Sequence, residues 1–309
     1  MKNESVSEWE LRFMKTLRNL DLYVMLTPGI LFFLIFSYFP MVWIFIAFQD
    51  FKIGQGLAGS AFVGFKHFAA LFQDEYFYVI LRNTVLISSL KLLFGFPVPI
   101  VLALAMNEIR QRFVLRTIQS VIYLPHFLSW AVVATLMISI FSFDNGILND
   151  FLKMLGFEPI AFLSDASSFR TMLVLSDIWK GAGWGTILYL AALTGIDQHL
   201  YEAARIDGAS KLRQMWHISL PGIQTTMTLL LILSMGSLVT GDFEQILLMY
   251  SPAVYNVADV IQTYVYRIGL GQLRLSYTTA VGLFQSVVSF LLVYLANRTA
   301  RKLGGDSIW

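Results

Sequence analysis

The chain has 309 residues, of which 57% are hydrophobic, 15% aromatic and 14% charged, and its mean hydropathy is +0.66; soluble domains carry about 25% charged residues. Twenty-two basic and 20 acidic residues leave a formal charge of +2, which offers no polyanion-binding surface and argues against a nucleic-acid partner. The hydrophobic content excludes disorder. Zero Cys excludes a disulfide framework, and the four His at 67, 126, 199 and 217 lack metal-ligand spacing. What remains is an all-α integral membrane protein with no metal site.

Residues 1–21 read as an amphipathic segment on the inner membrane face. Trp9, Phe13, Leu17 and Leu20 recur at three- and four-residue steps, with Glu10, Arg12, Lys15 and Arg18 between them. A bilayer core of about 30 Å needs about 20 apolar helical residues. Four stretches free of Asp, Glu, Lys and Arg reach that length: Leu22–Gln49, Thr117–Phe143, Gln214–Gly241 and Leu275–Asn297. Two more are apolar but interrupted, one by Arg82 and Lys91, the other by Asp177 and Lys180. Six transmembrane helices are therefore expected, at about 22–49, 77–107, 117–143, 171–196, 222–250 and 275–297, with a tail at 298–309. The transmembrane body thus runs over 22–297. With the N-terminus inside, 13 of the 22 basic residues fall in inside segments and 6 in outside ones, so both termini are expected in the cytoplasm.

Outside, Phe65, Phe68, Ala69 and Phe72 beside Lys66 predict a second interfacial helix. The segment 144–168 reads as loop, with turn signals at Asn145-Gly146 and Gly156. Prolines 28, 40, 97, 99 and 125 lie within or near span ends and predict kinks.

Between the fourth and fifth spans, on the predicted inside, runs Asp197 to Pro221. It reads as helix, stop, helix. Asp197 can cap the first helix, Glu202-Ala203-Ala204-Arg205 favour it, and Asp207-Gly208 can end it in a left-handed residue. Ser210 can cap the next helix, which leads through Ile218 to Leu220-Pro221.

At these residues the chain resembles the permease subunits of ATP-binding-cassette importers. Their signature is Glu-Ala-Ala, three residues, Gly, nine residues, Ile, one residue, Leu-Pro. Glu202, Ala203, Ala204, Gly208, Ile218, Leu220 and Pro221 stand at those intervals. The resemblance extends over nearly the whole chain. It is strongest to the LplB-like oligosaccharide and polysaccharide branch of the maltose-type permeases, through Arg82-Asn83-Thr84, Lys91 to Pro97, Tyr123 to Phe127, Gly241 to Gln245 and Asp306 to Trp309.

The resemblance implies a division of labour. A second homologous permease completes the pathway, a cytoplasmic ATPase dimer grips the loop helix, and an extracellular or periplasmic solute-binding protein delivers oligosaccharide. ATP and Mg are bound by the ATPase, and this chain carries no cofactor or catalytic residue. The location implied is a bacterial cell membrane, with the chain crossing several times among lipids. Gly59-x-x-x-x-Gly64 is followed by Phe65-Lys66, which is not a phosphate loop.

Charged groups within spans face cavities or each other. Lys91, Trp184, Asp242 and Glu244 are expected along the substrate pathway. Asp177 and Lys180, three residues apart on one helix face, are expected to form a structural ion pair. His126 reads as a hydrogen-bonded structural residue. The alternative function is an ion-coupled secondary sugar carrier, in which the loop signature would have no role.

Overall fold

The computed structural model of the protein describes residues 19–240 and 243–302, and the described chain is mostly helical. The amphipathic reading of residues up to 18, Asp242 and the residues beyond 302 lie outside it.

Helix α1 runs over Leu20–Phe48. It widens from α to π geometry at Leu34–Tyr38 and then tightens to 3-10 geometry from Phe39, where Pro40 lacks an N–H for the ladder. Only Ile46 and Ala47 on it are buried. A short antiparallel ladder of two residues per strand follows, with Gln49 opposite Phe62 and Asp50 opposite Ala61. The predicted interfacial helix is present as α2, Lys66–Gln73, with Leu71 buried.

Helices α3 (Glu75–Gly95) and α4 (Pro97–Asn107) form one 33-residue apolar element. Asp74 caps α3 by accepting the Tyr76 N–H at 3.0 Å. The next apolar stretch is not one straight rod. Helix α5 (Arg112–Tyr123) and the turn Leu124–Phe127 meet α6 (Trp130–Phe141) at 101°. The reason is local: Pro125 cannot donate to the ladder, Leu128 is extended, and the Ser129 hydroxyl starts a new helix by accepting the Val132 N–H.

The segment expected as loop contains a helix, α7, Ile147–Met154. Helix α8, Ala166–Thr194, is 29 residues long and packs along α3 and α4. Its glycines allow close approach. A Cβ on Gly183 would lie 2.1 Å from the Ile122 carbonyl oxygen, and one on Gly185 would lie 3.0 Å from the Pro99 ring. The loop helices are α9 (Gln198–Ile206) and α10 (Lys211–Gln214). A 60° bend separates Lys211–Gly222 from α11, Gln224–Ser237.

The fifth predicted stretch, 222–250, is also broken. Helix α11 ends in a turn at 238–240, and α12 resumes over Phe243–Met249. The Ser234 and Ser237 hydroxyls bond to backbone carbonyls near that end, which competes with helical pairing. Helix α13 covers Ile261–Gly271 and α14 covers Leu275–Lys302. Among the described residues, three elements, α1, α3–α4 and α14, are each long and apolar enough to cross a membrane, and counting each bent pair as one span gives up to five.

Three buried clusters hold the bundle. One joins Phe77 and Ile80 to Ile261 and Tyr277, one joins Ile87 to Phe169, Leu173 and Ile246, and one joins Ile100 and Leu104 to Tyr189, Leu193 and Ile223. Each fully buried aliphatic or aromatic side chain favours the packed state by about 1.5–3 kcal/mol where water is the alternative. In lipid, close packing and polar contacts carry more of the association.

Candidate functional site: the signature loop and an intramembrane cavity

The signature loop is a rigid protrusion. Asp197 accepts the His199 N–H at 2.9 Å and so caps α9. Gly208 has φ +73°. Ala209 N–H donates to Ala204 O at 2.8 Å and Gly208 N–H to Arg205 O at 3.1 Å, the nested pair that closes a helix on a left-handed residue. A Cβ at Gly208 would meet nothing within 4 Å, so backbone conformation, not space, calls for glycine. Glu202, Ala203 and Asp207 are exposed and Ala204 half-buried. Glu202 approaches His199 Nδ1 at 3.5 Å. Beside them stand two naked aliphatic side chains, Ile206 at 87% and Leu212 at 67% exposure.

The protrusion is fastened to the bundle. The Tyr201 hydroxyl pairs with the Ser219 hydroxyl at 2.9 Å in a buried contact. Lys211 Nζ lies 2.6 Å from Glu108 Oε2, which ties the loop to the connection between α4 and α5. Ile218 is half-buried, Leu220 packs on the cluster around Tyr189 and Ile223, and Pro221 precedes the bend into α11.

The in-span charges pair differently from expectation. Asp177 Oδ1 lies 3.7 Å from Lys91 Nζ, on α3. Lys91 is buried and also donates to Gln245 Oε1. Gln245, fully buried, donates to Leu173 O and Ser176 Oγ, each at 2.8 Å. One lysine thereby ties α3, α8 and α12. Lys180 does not pair with Asp177. Its ammonium donates to His126 O at 2.9 Å and Leu128 O at 2.7 Å, and lies 5.5 Å from the centroid of the Trp130 ring. The physical reason is the bend: it frees carbonyls from helical partners, and an ammonium with three donors satisfies them in a medium without water.

Asp177 and Gly181 line two adjoining cavities. The first, about 440 Å³, includes Lys91, Pro99, Tyr189 and Ser234. The second, about 320 Å³, includes His126, Ser129, Trp130, Lys180 and Glu244. Of the expected pathway residues, Lys91 and Glu244 are thus on a cavity wall. Trp184, half exposed, stacks on His126, which lines the second cavity. Asp242 lies outside the described residues. Sequence reasoning missed Trp130 and Ser129 and gave His126 a purely structural part. Pro125 in a charge-free stretch was the available signal.

A second polar network lies at the opposite end of α3 from the signature loop. Asp259 is fully buried and accepts from Tyr76 Oη at 2.8 Å, Thr263 Oγ1 at 2.7 Å and Arg267. Asn83 accepts from Arg170 at 2.9 Å and donates to the carbonyls of Asn256 and Asp259. Burial works against the Arg267 charge, but the Asp259 hydrogen bond and charge outweigh it and hold its pKa above the ordinary value. No local sequence pattern points to the whole network, because its members come from three separated segments, at 76–83, 170 and 256–267.

The sequence profile described as binding-protein-dependent transport system inner membrane component matches residues 95–304. The chain belongs to that family. Protein LplB of Bacillus subtilis (strain 168) is 48% identical over 93% of this chain and 91% of its own length. The polygalacturonan/rhamnogalacturonan transport system permease protein YteP of the same organism is 45% identical over 96% and 92%. A crystal structure of a bacterial alginate ABC transporter, in complex with an alginate pentasaccharide-bound periplasmic protein, contains a chain that matches with a TM-score of 0.88. That chain is 39% identical, over 96% of this chain and 99% of its own. For this inner membrane component, the exposed protrusion and the polar cavities are therefore the two features to interpret.

Proposed function

We propose that this chain is one permease subunit of a binding-protein-dependent ABC importer that moves acidic oligosaccharides, such as polysaccharide fragments, into a bacterial cell. Family membership and the names of LplB-like, YteP and alginate-import relatives support the class. The observation that carries it is the capped, glycine-closed α9 with Ile206 exposed at its end and Leu212 exposed beside it on α10. Exposed aliphatic groups on a rigid, bundle-fastened helix are what a partner's cleft would cover.

In this reading an ATPase dimer that binds ATP and Mg grips α9. Glu202 meets a basic residue there, Ala203 and Ala204 permit close approach, and Asp207-Gly208 makes the turn. Ile218, Leu220 and Pro221 carry the movement into α11. Nucleotide state biases two arrangements of the bundle, one open to each side. No residue of this chain performs covalent chemistry. A second permease and an external binding protein complete the importer. Six spans with both termini cytoplasmic fit, since α8 at about 1.5 Å per residue is long enough to cross. The segments 1–21 and 298–309 then lie inside, flanking the membrane domain at 22–297.

The sugar path follows the two joined cavities. Trp130 and Trp184 offer flat faces to sugar rings. Asp177, Glu244 and Asp242 accept hydroxyls. Lys91 and Lys180 hold positive charge at the wall, and a uronate carboxylate is the ligand chemistry that uses it. An ion-coupled carrier would leave α9 without work.

The test is reconstitution with a second permease, the ATPase pair and the binding protein in nanodiscs. ATP hydrolysis stimulated by binding protein loaded with oligogalacturonate or oligo-alginate supports the proposal. Uptake that follows an ion gradient without ATP would replace it with the carrier.

A further inference from the structure

The helix α7, Ile147–Met154, has no part in the reading above. Its geometry is divided into three arcs. At about 100° per residue, Ile147, Phe151, Met154 and Leu155 share one arc. All four are exposed: 66%, 56%, 85% and 57%. Leu148, Leu152 and the fully buried Asn149 occupy the adjacent arc, turned to the protein. Asp150 and Lys153 fill the third, and Lys153 Nζ donates to Asp144 O at 3.1 Å.

This orientation is fixed. Asn149 Nδ2 donates to Ser142 O and Ile160 O, each at 2.9 Å, and its Oδ1 accepts the Ile160 N–H at 2.8 Å. Gly156, at φ +82°, closes the helix with Phe157 N–H on Leu152 O at 2.9 Å. The exposed apolar arc therefore cannot roll inward to hide itself. Helix α7 packs against α6, on which Val132, Leu136 and Ile138 are also exposed, as is Phe143 between the two helices. Helix α6 is half of a bent pair that together is long and apolar enough to cross a membrane.

We infer that α7 is an interfacial anchor. Its Ile147–Phe151–Met154–Leu155 arc sits in the acyl-chain boundary of the membrane, and its Asp150–Lys153 arc faces water. The occupant of the exposed face is lipid, because α7 packs against half of a bent pair long and apolar enough to cross and the charges are gathered on a separate arc. The anchor fixes the depth of the far end of α6, and hence of the bend that Lys180 holds. The inference stands on membrane insertion alone and is independent of the sugar.

The chain has no Cys, so single thiols report cleanly. Nitroxide labels are placed at Phe151→Cys, Met154→Cys, Asp150→Cys and Lys153→Cys in the full chain in nanodiscs. Each is read alone and with the second permease and binding protein bound, and Ile147→Cys substitutes on the apolar arc if either variant there is poorly made. The expected result, in both assemblies, is an oxygen-to-nickel-chelate accessibility ratio severalfold higher on the apolar arc than at Asp150 and Lys153. A ratio that is equal or reversed overturns the anchor in favour of a water-facing helix. Exclusion of both reagents from the apolar arc in the assembled complex overturns it in favour of a protein partner.

Discussion

The indole of Trp184 lies flat on the imidazole of His126, with ring centroids 4.5 Å apart and planes 4° from parallel. Phe127 meets the same indole edge-on at 6.0 Å. One face of Trp184 is thus occupied by the bend between α5 and α6, and the side chain remains half exposed. If the other face receives a sugar ring, Trp184→Ala loses that contact, about 1 kcal/mol or more by aromatic precedent. Half-saturation of uptake should rise about fivefold or more while assembly survives, and Trp184→Phe should fall between. An unchanged half-saturation with intact protein would remove Trp184 from the path.

The lysine pairings yield a contrast in folding. Asp177→Ala removes the carboxylate 3.7 Å from the buried Lys91 ammonium, a costly loss for a charge out of water. Pairing it with Lys91→Met should recover much of the folded protein, whereas pairing it with Lys180→Ala should not. Lys180→Met alone leaves two carbonyls without donors, at about 1–3 kcal/mol each, and Lys180→Arg should be milder. The yield of monodisperse protein on size exclusion reads all five. Recovery by the Lys180 pairing would restore the ion pair expected from spacing.

That ion-pair expectation shows what spacing alone can say. Two residues three apart on a helix can meet, but which partner wins depends on chains 50 or more residues away. Lys91 and the Leu128 carbonyl were invisible to local pattern. The signature loop was legible because its caps, its stop and its exposed face are all local, each set by residues within a turn or two. The bends at Leu128 and Ile223 were half legible: proline marks where a kink can occur, and surrounding packing decides 101° or 60°. Helix α7 was missed because eight residues between turn signals look like loop until Asn149 is seen tying both ends. The network around Asp259 was only partly readable: Thr263 and Arg267 follow it by four and eight residues, but Tyr76, Asn83 and Arg170 reach it from two distant segments.

At the loop, Gly208→Val forces a β-branched residue into a left-handed backbone at φ +73°, which costs at least about 1–2 kcal/mol. Uptake should be lost while insertion into the membrane is kept. Gly208→Asn, which tolerates that conformation better, should keep part of it. Glu202→Lys should weaken capture of the ATPase by charge repulsion. Co-purification of ATPase with each variant is the measurement. Full capture and normal uptake by both Gly208→Val and Glu202→Lys would take α9 out of the coupling.

Sidedness has a simple assay. With 13 basic residues in the inside segments, Ser210→Cys should react with a membrane-impermeant maleimide in inside-out vesicles and not in intact cells. Labelling from outside would invert the topology.

The buried contact between the Tyr201 and Ser219 hydroxyls bears on stoichiometry. It joins the helix proposed to meet the ATPase to the base of the next helical stretch, so a displacement at one is passed to the other. Were that joint soft, the ATPase could cycle beneath a stationary pathway. Tightness between nucleotide turnover and sugar delivered would then rest on two hydroxyl groups, and its loss would register as idle hydrolysis before any loss of binding.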